Sequence, residues 1–236
     1  MTEIFKPRLE ILSLAQRALW PQLQAAVSLG FVLYGGTAIA LRLGHPQSID
    51  FDFFSAQALD REALKTSFPF IALSTVLQDQ TNALTILVPV AHTGHHAETE
   101  TAQVKVSFFG LIGFARVGEP ETTDDGIMQV ASIEDLFATK VKVILQRAEA
   151  KDYRDIVAML SAKASLAHAL VSARTLHGTN FQPSESLKAL TYFNDGDLQT
   201  LTESEKRCLV NAASKIDDIP EVMVISRELT KATKKP

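Results

Sequence analysis

The chain has 236 residues, 46% hydrophobic and 21% charged, so it can bury a core and is not a disordered polymer. That length suits one large domain, or a catalytic domain with a smaller helical partner. The net charge of -4 argues against a surface coated in positive potential for indiscriminate nucleic-acid binding, while leaving room for a local basic patch.

No apolar run approaches the roughly 20 residues that cross a bilayer, so no membrane span is expected. The opening Met1-Thr-Glu-Ile-Phe-Lys-Pro7 lacks the basic-then-apolar layout of a secretion signal. The single cysteine, Cys208, allows no internal disulfide and reads as a small apolar filler on a helix. These features suit a cytoplasmic protein.

In chain order, Arg8 to Trp20 has apolar residues at helical spacing (Leu9, Leu12, Ala15, Leu19), and Pro21 fits the first turn of a second short helix ending near Gly30. Phe31–Tyr34 is a short apolar run cut off by two glycines, which predicts a buried strand. Thr37 to Leu43 reads as a helix closed by Gly44. Ile49 to Phe54 alternates apolar residues with Asp50 and Asp52, the pattern of a half-buried strand. A helix is expected at Asp60–Ser67, and further strands at Phe70–Gln78, Ala83–Val90 and Ala102–Phe109, with Ala91–Glu100 a polar loop. After a loop at Glu119–Gly126 comes a short strand, Ile127–Val130.

From there the period becomes helical. Ser132-Ile-Glu-Asp135 resembles a capping box with Asp in place of Glu, opening a helix through roughly Arg147. A second helix is predicted at Lys151–Ser161. Others follow at Leu166–Leu176, Ser184–Tyr192, Ser204–Ser214 and Glu221–Thr233. The expected fold is α+β: a mixed sheet with flanking helices over residues 1–164, then a helical C-terminal region over 165–236.

Three groups of residues carry chemistry. Gly35-Gly36-Thr37 end a strand and open a helix, presenting bare backbone N–H groups at a positive helix end, with the Thr37 hydroxyl as a further donor. Paired glycines alone more often serve a tight turn. Asp50 and Asp52, two apart on a strand, point the same way and can bind one or two divalent cations, since like charges side by side are costly without a counter-ion. The bland alternative is a solvated edge strand. The combination of phosphate cradle, short helix and paired acids is what in-line nucleotidyl transfer requires. The third group, Lys140, Arg147, Lys151 and Asp155, falls on one face at about 100° per residue, with Asp135, Asp152 and Arg154 nearby in sequence. The same spacing fits a solvated helix face, and a break near Ala148–Ala150 would disturb the alignment. His92, His95 and His96 lie in a polar loop without a sensible fourth ligand and read as just a loop, and His45 reads as a turn residue.

With those residues in view, the chain resembles the AbiEii/AbiGii toxin family of nucleotidyltransferases within the polymerase-beta-like superfamily. The resemblance rests on Leu33-Tyr-Gly-Gly-Thr-Ala-Ile-Ala-Leu-Arg-Leu-Gly-His45 and Ser48-Ile-Asp-Phe-Asp-Phe-Phe-Ser55. It continues through Ala131-Ser-Ile-Glu-Asp-Leu-Phe-Ala-Thr-Lys140, Gln146-Arg-Ala-Glu-Ala-Lys-Asp-Tyr-Arg-Asp155 and Ala189-Leu-Thr-Tyr-Phe-Asn-Asp195. It implies Asp50 and Asp52 as ligands of Mg²⁺ or Mn²⁺, with Lys140 and Asp155 completing the catalytic set and Asp152 beside them. It also implies nucleotide contacts from Gly35, Gly36, Thr37, Ser48, Lys140, Arg147 and Lys151. The implied substrate is an NTP and the implied acceptor an RNA such as tRNA, or a protein. The implied partner is a cognate antitoxin of a toxin–antitoxin or abortive-infection pair. Two departures stand out. Relatives commonly carry an arginine where this chain has Pro46-Gln47, and Ser107 stands where the superfamily takes a third carboxylate from a neighbouring strand. They keep open a rival reading, a catalytically weakened nucleotide-binding or interaction protein of the same fold.

Overall fold

The computed structural model describes residues 4–44, 48–93, 99–217 and 221–231. Contacts cluster into two compact units: residues 1–113, 119–131 and 228–236 in the first, 114–118 and 132–227 in the second. The helices that open the second unit thus lie before residue 164, where the sequence suggested a boundary.

The first unit holds a mixed eight-stranded sheet, as an α+β fold requires. In chain order the strands are β1 (Ile4–Phe5), β2 (Val32–Tyr34), β3 (Asp50–Phe54), β4 (Thr75–Gln80), β5 (Ala83–Thr93), β6 (Thr99–Phe109), β7 (Glu121–Thr123) and β8 (Gln129–Val130). Their spatial order is β1-β7-β8-β2-β3-β6-β5-β4. β3 sits near the middle, antiparallel to β2 and parallel to β6. Its position follows from its alternation: Phe51 and Phe53 are fully buried, while Asp50 and Asp52 are half-buried on the other face. Phe53 stacks on Phe108 at 5.3 Å between ring centroids, Phe31 meets Phe108 edge-on, and Phe51 lies against Trp20. This aromatic cluster fixes which face of β3 is core, and a register slip of one residue would drive both carboxylates into it.

The unit's helices are α1 (Leu14–Leu19), α2 (Ala25–Ser28), α3 (Gly35–Leu43) and α4 (Arg61–Ser67). The single helix expected from Arg8 to Trp20 is broken. A 3-10 turn, Leu9–Ile11, precedes Ser13, whose side chain caps α1 in a reciprocal capping box with Gln16. The strand expected to begin at Phe70 begins at Thr75, because Pro69 opens a 3-10 turn over Pro69–Leu73. The polar stretch expected as a loop at Ala91–Glu100 is largely strand: β5 and β6 stay paired through His92↔Glu100 and Thr93↔Thr99. A hairpin ladder satisfies backbone groups whatever the polarity of the side chains, and threonines suit it. His95 and His96 lie outside the described residues, as do His45 and Pro46-Gln47.

The second unit is built from α5 (Ile133–Val143), α6 (Ala150–Ser161), α7 (Leu166–His177), α8 (Pro183–Ala189) and α9 (Glu203–Ala213). Ser132 caps α5 as expected, accepting from the Asp135 N–H. Asp135 does not reach back to complete the box. Its carboxylate accepts instead from the backbone N–H groups of Val117 and Gly118 and from the Ser132 hydroxyl, fastening residues 114–118 to this unit. The helix expected at Glu221–Thr233 is absent over its described part, up to Lys231. Val222, Val224 and Ile225 are β-branched and disfavour helix, and the extended segment forms an antiparallel bridge between Ser226 and Arg116. Among the described residues no helix is long and apolar enough to cross a membrane.

Candidate active site

The first cluster stands where β2 ends, α3 begins and β3 runs alongside. Tyr34 pairs with Asp52 across the antiparallel β2–β3 ladder, which sets the start of α3 against the Asp52 carboxylate. Gly35 makes that approach possible. Its φ of +76° favours glycine, and a Cβ built there would stand 2.6 Å from Asp52 Oδ2. The second glycine, Gly36, continues the first turn, whose N–H groups have no partner within the helix and carry the positive end of its dipole. A carboxylate beside that end is favoured, and so is a phosphate.

Thr37 is fully buried, and its hydroxyl donates to the main-chain carbonyl of Asp50. This differs from the expectation that the hydroxyl is a donor for phosphate: it is spent tying α3 to β3. Ser48 lies two residues before β3, and its carbonyl accepts a hydrogen bond from Gln16 Nε2 at 3.0 Å.

One neighbour was not anticipated. β6 places Lys105 opposite Asp50 and Ser107 opposite Asp52. The Lys105 ammonium lies 2.5 Å from Asp50 Oδ2. The resemblance set Ser107 on the strand neighbouring the acids, and alternation puts Lys105 on the same face, but nothing in the pattern paired Lys105 with Asp50.

Asp50 and Asp52 offer hard oxygen donors on one face of one strand, which fits a small divalent cation. Among the described residues no group of three or more His, Cys, Asp or Glu is arranged to hold a metal. Such a cation would be held by these two carboxylates, with water and substrate phosphates in its shell, as is common for Mg²⁺.

The second cluster lies within the helical unit. Lys140, only 6% exposed, places its ammonium 2.6 Å from both Asp152 Oδ1 and Asp155 Oδ2. Burial alone would push the Lys140 pKa down; the charges of Asp155 and Asp152 outweigh it and hold the pKa above its ordinary value. Burial likewise works to raise Asp152, but hydrogen bonds from Arg147 and the charge of Lys140 bring it below the usual carboxylate range. Arg147 Nε is 2.7 Å from Asp152 Oδ2, and Lys151 is exposed and paired with Glu149.

The basic face that the spacing allowed is interrupted, in the way a break near Ala148–Ala150 would do it. α5 ends at Val143 and α6 begins at Ala150, so Lys140 and Lys151 belong to different helices. Lys140 is also buried where a solvated face was the alternative. The structure thus gathers Gly35, Gly36, Thr37, Asp50 and Asp52 in the first unit, and Lys140, Arg147, Asp152 and Asp155 in the second.

Residues 22–207 match the family described as "Nucleotidyl transferase AbiEii toxin, Type IV TA system". The chain is also similar to the uncharacterized protein aq_aa25 of Aquifex aeolicus (strain VF5). The two are 28% identical over 179 residues, which cover 73% of this chain and 80% of that protein.

Proposed function

Since the chain belongs to the AbiEii family of nucleotidyl transferase toxins, we propose that it is a metal-dependent nucleotidyltransferase acting in the cytoplasm, the toxin of a pair with a cognate antitoxin. It moves an NMP from an NTP to an acceptor hydroxyl on an RNA such as tRNA, or on a protein. The acceptor hydroxyl loses its proton to water, its oxygen forms a bond to the α-phosphorus, the bond from that phosphorus to the β-phosphate oxygen breaks, and pyrophosphate leaves.

The observation that carries this reading is the pair of carboxylates, Asp50 and Asp52, held on one face of β3 with Asp52 against the N-terminus of α3. The first-turn N–H groups of α3 orient an anionic triphosphate. The carboxylates hold Mg²⁺ or Mn²⁺, which when bound offsets the charge developing on the transferred phosphoryl group. Lys140 and Asp155, with Arg147, Lys151 and Ser48, serve the nucleotide in this proposal on the strength of the family resemblance alone.

The test is incubation with each labelled NTP, total cellular RNA and Mg²⁺ or Mn²⁺, following label transfer and pyrophosphate release. Asp50→Asn and Asp52→Asn lower transfer by at least about a hundredfold. Wild-type rates in the double variant refute the site. Ser107, at the position opposite Asp52, favours the second reading, a nucleotide-binding protein of weakened activity. NTP-dependent thermal stabilisation without pyrophosphate release would select it.

A further inference from the structure

α6 is engaged on two opposite faces. Asp152 and Asp155 share one, and both reach the Lys140 ammonium at 2.6 Å. Ala150, Tyr153 and Arg154 fall on the other, roughly 180° round the helix at about 100° per residue. That back face is held by residues 189–200. The Asp197 carboxylate accepts from the Ala150 N–H at 2.6 Å, and the Tyr153 hydroxyl donates to the Ala189 carbonyl at 3.3 Å. Arg154 donates to the carbonyl and hydroxyl oxygens of Thr200.

Of these contacts, Asp197 supplies what the helix lacks. Ala150 is the first residue of α6 and is fully buried, so its N–H has no intrahelical partner and no access to solvent. The N-cap residue, Glu149, makes no side-chain bond to the helix end; its carboxylate pairs with Lys151 and Arg147. Gly196 lets Asp197 approach: its φ is +54°, and a Cβ there would strike the Ala148 carbonyl. A roll of α6 by about 30° would carry a side-chain tip about 6 Å from the axis through about 3 Å, enough to break a hydrogen-bonded ion pair. We infer that Asp197 is a positioning residue for nucleotidyl transfer, a cap supplied from 47 residues away that fixes the roll of α6 and sets Asp152 and Asp155 together against Lys140. This rests on the reading above that Lys140 and Asp155 serve the nucleotide.

The test reads Lys140 and nucleotide separately, well below the melting temperature of every variant. The full chain is labelled sparsely with acetic anhydride, and acetylation of Lys140 is measured by mass spectrometry against the exposed Lys65. Dissociation of the tightest-binding NTP with Mg²⁺ is measured by equilibrium dialysis. Asp197→Ala raises the relative labelling of Lys140 at least about fivefold and weakens NTP binding about tenfold. Asp197→Asn, whose amide oxygen still accepts from Ala150, matches wild type in both. Asp197→Ser, with shorter reach, replaces the alanine variant should that not fold. A merely structural cap moves only the melting temperature. Lys140 labelling unchanged in Asp197→Ala therefore overturns the role of Asp197 and leaves the nucleotide reading standing. Raised labelling with unchanged NTP binding overturns the nucleotide role of Lys140 and Asp155, and with it positioning for transfer, while the hold of Asp197 on α6 stands. No NTP bound by wild type overturns that nucleotide role outright.

Discussion

Lys140→Met keeps the length and apolar stem of a buried side chain and deletes only its ammonium. In the folded protein that ammonium neutralises two carboxylates at 2.6 Å each, within a cluster whose lysine is 6% exposed and whose Asp152 is fully buried. Removing one partner of a buried pair costs roughly 3–5 kcal/mol. Arg147 still reaches Asp152 Oδ2 at 2.7 Å, so the lower end applies, about 3 kcal/mol. For a chain of this size that lowers the melting temperature by about 6–12 °C. Lys142→Ala is the control: its ammonium bonds the Asn180 carbonyl at the surface, and its loss falls within about 0.5 kcal/mol. Thermal melts of both variants without ligand decide the matter. Melting points within about 2 °C of each other would refute the buried triad. A nucleotide role for Lys140 appears in a different quantity, the rise in each variant's own melting temperature on adding NTP with Mg²⁺. A lost charged contact to phosphate removes about 1.5–3 kcal/mol of that stabilisation in Lys140→Met and none in Lys142→Ala.

Gly35→Ala places a Cβ against Asp52 Oδ2 at a φ of +76°; a stability loss on the order of 1–2 kcal/mol in urea denaturation is expected, with a larger proportional loss of Mn²⁺ binding. A variant that binds Mn²⁺ like wild type would show that the close approach is not needed. Thr37→Val removes the hydroxyl donated to the Asp50 carbonyl and costs about 1–3 kcal/mol, while Thr37→Ser restores most of it; equal stabilities would dismiss that tie. For pH, the Asp152 pKa is lowered on folding from 3.8, so its contribution to stability is complete above about pH 4 and is lost as pH falls through the lower folded value. Asp152→Asn therefore flattens the acid limb of a stability-versus-pH curve below pH 4, and an unchanged limb would contradict the assignment.

What the sequence decided by itself was local and periodic. The alternation of Phe51 and Phe53 with Asp50 and Asp52 named the strand and its two faces, because a pleat repeats every two residues. Gly35-Gly36 and Gly44 marked the ends of α3, because glycine reaches backbone conformations other residues avoid. The α+β class and the family resemblance followed from the same motifs. The tertiary structure decided what depends on neighbours remote in sequence. Lys105 became a partner of Asp50 only through the parallel register of β6 on β3, which no pattern within either strand records. The Thr37 hydroxyl went to the Asp50 carbonyl because α3 packs on β3. The break between the two helices was legible in the sequence, but only packing decided that Lys140 points inward to Asp152 and Asp155 while Lys151 stays in solvent. Spacing along one helix carries angular information only while the helix continues, and where it stops, packing decides which side chain meets which.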